Sequence, residues 1–370
     1  MMSDNRNKKK NINSDYFDDG SNQVIKNSSQ KRKKKKKTRL GLMLMINLLL
    51  LSVLCGILFF TAPGQKAIIN LVGDYIYDKL DYQTDESGND DSETVNTKNV
   101  NLKPVMNFLL IGVEEIKGAR NTDSLMIATM NTKTKSLKLT SIMRDLYVDI
   151  PGYSKNRINS VYSKGGIDLL YETIKLNFGI EIDGYCMVNF EAFEQIVDII
   201  GGIEITLTEK EAEYLRKTNY ISKKENRKVV AGKQLMNGNQ VLGYCRVRKV
   251  STGTENNDFG RTQRHRIVLQ AIYDKLKSKN IVSLVRIMNK ILNEVEIKTD
   301  ISNKTFKYCL EQAVSFKVKD IQTLRIPKDG TYENATVKIG SRKAAVLMAK
   351  DWEATREYIY DFIYGTDEEN

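Results

Sequence analysis

Histidine and cysteine are scarce: the 370 residues include one His and four Cys. With a lone histidine, no spacing among the cysteines resembles a zinc site. Cys55 falls in an apolar run and Cys186, Cys245 and Cys309 follow it, an odd number that argues against a disulfide framework. The fold must therefore rest on its core, and 41% apolar residues suffice for one large domain or two ordinary ones. No internal repeat is present. Acidic residues are sparse in the first 61 positions, which carry 13 Lys/Arg against 4 Asp/Glu. Of the formal net charge of +12, +9 thus belongs to a tail and only +3 to the remainder. A basic excess confined to a tail does not make a nucleic-acid-binding domain, and no nucleic-acid partner is expected.

The tail's basic run, Lys31 to Lys37 followed by Arg39, adjoins LGLMLMINLLLLSVLCGILFF from Leu40 to Phe60, which has no charge. Roughly 20 residues at 1.5 Å rise cross the hydrocarbon core of a bilayer. The flanking basic cluster places the N-terminus in the cytoplasm and everything after Phe60 outside the cell. Phe59 and Phe60 close the run where a cleavable leader would have a small-x-small site, so an uncleaved signal anchor is expected. The resulting division is a disordered basic cytoplasmic tail (1–39), a transmembrane anchor (40–60), a stalk (61–100) that is acidic and polar from Asp81 to Asn99, and an extracellular domain (101–365).

Three strand-like runs open that domain: Val105 to Val113, Ser124 to Met130 and Ser136 to Met143, the last two bracketing the turn NTKTK. If they run up, down and up as antiparallel neighbours, Glu114, Arg120, Asp123, Arg144 and Asp145 meet at one sheet edge. Helical patterns follow at Gly166 to Leu176, Phe190 to Ile200, Gln263 to Lys279, Ile281 to Asn293, Asn303 to Phe316 and Ser341 to Tyr358. Further strands are expected at Tyr185 to Val188, Ile203 to Leu207, Tyr244 to Arg248 and Ile321 to Ile326. Strands mixed with helices make a layered α/β or α+β domain.

Two acids among several arginines suit a diphosphate ligand: carboxylates hold Mg²⁺, the ion bridges phosphate oxygens, and guanidinium forks neutralise the rest. Glu114 and Asp123 are the metal candidates. Arg246 and Arg248, two apart on an expected strand, would share a face. Arg261 and Arg264, three apart near a helix start, would share a side, where the helix's positive end favours phosphate. His265 invites an acid-base role, although a histidine between basic residues is commonly a surface group. Cys186 and Cys245 read as small buried apolar residues.

In order, FLLIGVE, RNTDSLM, LTSIMRDLYVDIPG, NRINSVYSKGG, VNFEAFEQIVDIIGGIEI, LMNGNQVLGYCRVR and DFGRTQRHRIVLQAI resemble the successive motifs of the LytR-CpsA-Psr family, from about Asn107 to Ile272. The resemblance implies a mixed central sheet with helices on both faces, preceded by one transmembrane helix. It implies an enzyme that moves an anionic glycopolymer from a polyprenyl pyrophosphate carrier onto peptidoglycan, with Mg²⁺ and an apolar groove for the prenyl chain. Carried over by motif, Glu114 and Asp123 become metal ligands, Glu114 standing where the family usually has Asp. Arg120, Arg144, Arg246, Arg248 and Arg261 map to phosphate-binding arginines, with Arg264 following in the same motif. Asp145 completes the arginine-aspartate pair, Met143 replacing a usual Pro, and His265 stands where Gln is common, as a titratable contact to phosphate. Arg144 and Arg246 would stabilise the transferring phosphate, and Asp258 or Asp145 would assist proton removal. Two rival readings are a non-catalytic receptor for lipid pyrophosphate and a membrane-tethered transcription regulator. The tail holds nothing that folds as a DNA reader, which counts against the second.

Overall fold

Alternating burial organises the first strands. In β1 (Val105–Ile116), Leu109, Ile111 and Val113 are buried on one face, and in β2 (Ala119–Asn131) Leu125 and Ile127 join them. The chain is described here by a computed structural model covering residues 103–365 apart from 117, 118, 317 and 319. The expected tail, membrane anchor and stalk lie outside the described residues. Among the described residues no helix is long and apolar enough to cross a membrane.

β1, β2 and β3 (Ser136–Ile142) are antiparallel neighbours as expected, Leu109 opposite Ile127 and Ile127 opposite Thr140. The β2–β3 turn is fixed by Asn131, whose Oδ1 accepts from the amides of Lys133 and Thr134 at 3.0 and 3.2 Å. β6 (Gly184–Asn189) lies parallel to β1, and β10 (Gln322–Ile326) parallel to β3. With β9 (Lys298–Thr299) the sheet is mixed and runs β10-β3-β2-β1-β6-β9. The apolar side of β1 and β2 packs on Leu170, Ile174 and Phe178 of α1 (Tyr162–Phe178) and on Ile359 and Ile363 of α8 (Trp352–Tyr364). Each such buried side chain contributes about 1.5–3 kcal/mol.

The opposite face is covered by α2 (Phe190–Ile199), α4 (Gly238–Arg246) and α5 (Asn257–Lys277). Gly238 lets α4 start directly on α2, since a Cβ there would lie 2.1 Å from the Glu194 carbonyl oxygen. A second core joins these helices to the β7 (Ile203–Leu207) and β8 (Gly232–Met236) ribbon and to α3 (Glu209–Lys217), burying Ile205, Leu215, Met236 and Val241. Helices on both faces of a mixed sheet match the expected class. The ribbon β4 (Tyr147–Ile150) and β5 (Tyr153–Arg157) was not foreseen.

Two expected elements are corrected. Tyr244 to Arg248 is not a strand: a capping box between Asn237 and Gln240 starts α4, which carries Tyr244 to Arg246 as its last turn, and Val247 turns extended beyond it. Ser341 to Tyr358 is not one helix. Arg342–Ala349 forms β12, paired with β11 (Tyr332–Ile339) across a two-residue turn whose Gly340 has φ +59°, and Asp351 then caps α8. Pairing with β11 overrides the helical preference of the Ala-, Leu- and Met-rich run.

Candidate active site

Between the sheet and the helices lies a cavity of about 480 Å³. Leu110 and Gly112 of β1, Met126 of β2 and Cys186 and Val188 of β6 form its floor. Phe190, Phe193 and Ile196, three apart along α2, form one wall, and Val268, Leu269 and Ile272 of α5 the other. The walls are greasy, and the charged lining residues are Glu114, Asp123, Arg246, Arg248 and Arg261.

Asp123 reaches this cavity through a β-bulge. Gly112 pairs with Ser124 but Val113 pairs with Thr122, so Asp123 is the extra residue. Strict alternation from Leu125 would turn Asp123 toward the opposite, apolar core; the bulge lets Asp123 and Ser124 both line the cavity. Thr122 points the other way, its hydroxyl bonded to the Asn159 carbonyl at 3.2 Å.

Arg157, Asp145, Arg144, Asp123, Arg261, Asp258 and Arg248 form a network of alternating sign, with Glu114 and Arg246 as a separate pair. Asp123 accepts from Arg144 Nη1 at 3.0 Å and lies 3.6 Å from Arg261 Nη1. Asp258 sits among Arg248 Nε (3.3 Å), Arg261 Nε (3.3 Å) and Arg144 Nη2 (3.7 Å). Asp145 lies between Arg144 Nε (3.6 Å) and Arg157 Nη1 (3.3 Å), while Glu114 is 3.7 Å from Arg246 Nη2. Arg246 also stacks on Phe190, 5.3 Å from the ring centre. The buried Nε atoms of Arg144, Arg157 and Arg261 and the Asp258 Oδ1 make no hydrogen bond. Burial, then the positive charges of Arg144 and Arg248, pull the Arg261 pKa down to about 10. Arg261 is thus a buried cation, and it and its partly exposed neighbours Arg144 and Arg157 carry buried nitrogens short of hydrogen-bonding partners, the condition an anionic ligand relieves.

Glu114, Asp123, Arg246, Arg248, Arg261 and His265 thus line one cavity, and Arg144, Asp145 and Asp258 join the same network of ion pairs. Arg120 stands opposite Glu115 in the β1–β2 register, and its expected phosphate contact lies outside the described residues. Arg246 and Arg248 converge without the shared strand face expected of them. Arg264 is corrected: its side chain is fully buried, away from the cavity, in an ion pair with Glu211 at 2.8 Å. One helical turn separates it from Arg261 on the same side in projection, but α5's inner face is split between cavity and second core.

His265 is neither a surface group nor titratable near neutrality. Burial, then the Arg261 charge, drives its pKa down to about 3. Its Nε2 lies 3.0 Å from the Cys245 carbonyl oxygen, which can only accept, so Nε2 carries the proton. Nδ1 then accepts from the Ser124 hydroxyl at 3.2 Å. Cys245 is buried as expected and Cys186 partly so, and burial pushes their thiols up to about 12 and about 11. Arg157 was missed: NRINS has no neighbouring acid to flag it, and only the β4–β5 ribbon brings it to Asp145. Among the described residues no group of three or more His, Cys, Asp or Glu could by itself hold a metal. Magnesium needs only one or two carboxylates with substrate phosphates, and Glu114 and Asp123, which both line the cavity, are of that donor type.

Several known proteins resemble this chain. Regulatory protein MsrR of Staphylococcus aureus (strain COL) is 28% identical over 261 residues, 69% of this chain and 74% of that protein. The polyisoprenyl-teichoic acid–peptidoglycan teichoic acid transferase TagV of Bacillus subtilis (strain 168) is 32% identical over 298 residues, 76% of this chain and 72% of its own length. The crystal structure of B. subtilis TagV superposes with a TM-score of 0.55 at 26% identity, over 71% of this chain and 99% of that one. A structure of YwtF (TagT) with bound octaprenyl pyrophosphate lipid, 22% identical, shares the fold with a TM-score of 0.51 over 74% of this chain and 94% of that one. The LytR_cpsA_psr family model matches residues 73–353, well over half the sequence and all of the cavity-lining positions, and the chain belongs to that family.

Proposed function

We propose that this protein transfers an anionic glycopolymer from a polyprenyl pyrophosphate carrier to peptidoglycan, on the outer side of a membrane in which it is anchored by 40–60. The observation that carries the reading is one cavity lined both by apolar walls and by a cluster of charges, which we read as its mouth, one part suited to a prenyl chain and the other to a diphosphate. The teichoic acid transferase name of the TagV relative and the octaprenyl pyrophosphate bound to TagT support it.

In this reading Arg246, Arg248 and Arg261 grip the diphosphate at the cavity mouth. Arg144 reaches the same oxygens and is steered by Asp123, Asp145 and Asp258. Glu114 and Asp123 would hold Mg²⁺, which when bound supplies neutralisation of diphosphate charge. A hydroxyl oxygen of peptidoglycan attacks the phosphorus that carries the glycopolymer. The bond from that phosphorus to the bridging oxygen breaks, polyprenyl phosphate leaves, and a phosphodiester remains. The hydroxyl proton passes to Asp258 or Asp145. Guanidinium groups held in place before the charge develops lower the barrier without reorganising. Neutral His265 shapes the wall and keeps its own charge out of the balance.

The test uses full-length protein in detergent with polyprenyl-pyrophosphate-linked glycopolymer, peptidoglycan and Mg²⁺. Covalently attached polymer and released polyprenyl phosphate are expected. Tight binding of the lipid with no product would establish the receptor reading instead, and no binding at all would remove both.

A further inference from the structure

Resting on that reading of the cavity mouth, we propose that the buried Arg264–Glu211 pair is a positioning device: it clamps the carbonyls on both sides of Arg248 and so aims that guanidinium at the diphosphate. The geometry is specific. Arg264 Nη1 donates to the Val247 carbonyl at 3.1 Å and Nη2 to the Val250 carbonyl at 2.8 Å, bracketing Arg248. Nε and Nη2 both donate to Glu211 Oε1, at 3.0 and 2.8 Å. The other carboxylate oxygen, Oε2, accepts from the Thr208 amide at 2.9 Å, which ties the device to the start of α3.

The segment needs such a clamp. After α4 ends at Arg246 the chain runs without helix or strand until α5 begins at Asn257. Arg248 is therefore held by no ladder of its own, yet its Nε must stay 3.3 Å from Asp258. Arg264 is the buried fork that reaches the segment from α5, the same helix that supplies Asp258 and Arg261. Loop and helix are thereby locked in one register. Gly260 completes the fit, because a Cβ there would come within 2.9 Å of the Glu255 carbonyl and 3.3 Å of Arg264 Nη1. A lysine cannot replace the fork, having one nitrogen where three are used.

A buried charge left without its partner is strongly destabilising, so Arg264→Ala alone would not separate positioning from folding. The pair Arg264→Met with Glu211→Leu removes both charges and keeps an apolar filling, losing the Thr208 capping arm but no buried charge balance. The full-length double variant, in detergent, is titrated with octaprenyl pyrophosphate and with octaprenol, which needs the cavity but no arginine. A loss of at least tenfold in diphosphate affinity is expected, with octaprenol binding within twofold of the parent. Adding Arg248→Ala to this variant is expected to change diphosphate affinity by less than threefold, because an arginine already misplaced has little left to lose. Equal loss for both ligands would assign the pair a merely structural role and overturn the proposal, as would full diphosphate affinity in the double variant. If the parent itself binds octaprenyl pyrophosphate no tighter than octaprenol, the reading of the mouth fails, independently of the clamp. A double variant that does not fold is replaced by Arg264→Lys, which keeps the buried charge beside Glu211 but with a single nitrogen cannot hold both carbonyls; the same contrast between the two ligands then decides.

Discussion

Replacing Arg144 by Ala removes the side chain shared by the most carboxylates at the site. Its side chain is 20% exposed, and its guanidinium bonds Asp123 at 3.0 Å and lies 3.6 and 3.7 Å from Asp145 and Asp258. All three acids keep a second partner: Asp123 and Asp258 retain Arg261, and Asp145 retains Arg157. The stability cost is therefore that of partly exposed ion pairs, about 1 kcal/mol, which lowers the melting temperature of a domain this size by about 2–4 °C. The functional cost is larger. A charge-assisted contact to a partly desolvated phosphate contributes about 2–4 kcal/mol, so transfer should slow by about 30- to 1,000-fold. Full-length parent and Arg144→Ala proteins are compared by rate of polymer attachment to peptidoglycan, with circular dichroism melting on the same samples. Retention of more than a third of the activity would remove Arg144 from the phosphate site. A melting temperature lowered by more than about 10 °C would show that its role is to hold the fold.

Filling the cavity tests the prenyl half of the reading. Cys186→Phe places a ring in open space, so octaprenyl pyrophosphate binding should fall at least tenfold while the melting temperature changes by less than about 3 °C in titration and melting of the same protein. For His265 the folded pKa, about 3, lies below the ordinary value of 6.5, so the unfolded chain binds the extra proton between those pH values. Its contribution to stability is then complete above pH 6.5 and lost as pH falls toward 3. Denaturant melts of His265→Gln should show a shallower acid decline across that window than the parent, and an unchanged slope would contradict the buried, neutral histidine. The Cys186, Cys245 and Cys309 thiols, pushed up to about 11, 12 and 12 by burial, should resist iodoacetamide at pH 8 in native protein and react in denaturant, as read by peptide mass mapping.

Much of the sheet was legible because its signal is local. Alternation in VMNFLLIGV and SLMIATM, with a turn between the second and third runs, gave three antiparallel neighbours and hence the edge where Glu114, Asp123 and Arg144 meet. The bulge that turns Asp123 into the cavity was not legible, since it depends on a register slip between partners and leaves no mark on either strand alone. Arg246 and Arg248 were found for a reason the structure does not share: they are gathered by a helix end and a clamped loop. Arg264 was misassigned because sequence spacing from Arg261 gives a side of the helix but not which of two adjoining compartments that side faces. Its partner Glu211 lies 53 positions away and is buried beside it only by tertiary packing. Arg157 and the Phe190 ring beneath Arg246 were missed for the same reason. The hairpin of β11 and β12 shows the converse, a locally helical composition drawn into strand by a neighbour.

The central claim is that one ligand spans both halves of the site. A crystal structure of the protein grown with octaprenyl pyrophosphate and Mn²⁺, whose anomalous signal marks the ion, tests it most directly. The account predicts the ion between Glu114 and Asp123, the diphosphate against Arg246, Arg248 and Arg261, and the prenyl chain between α2 and α5. An ion and diphosphate bound elsewhere, with the apolar cavity left vacant, would contradict it.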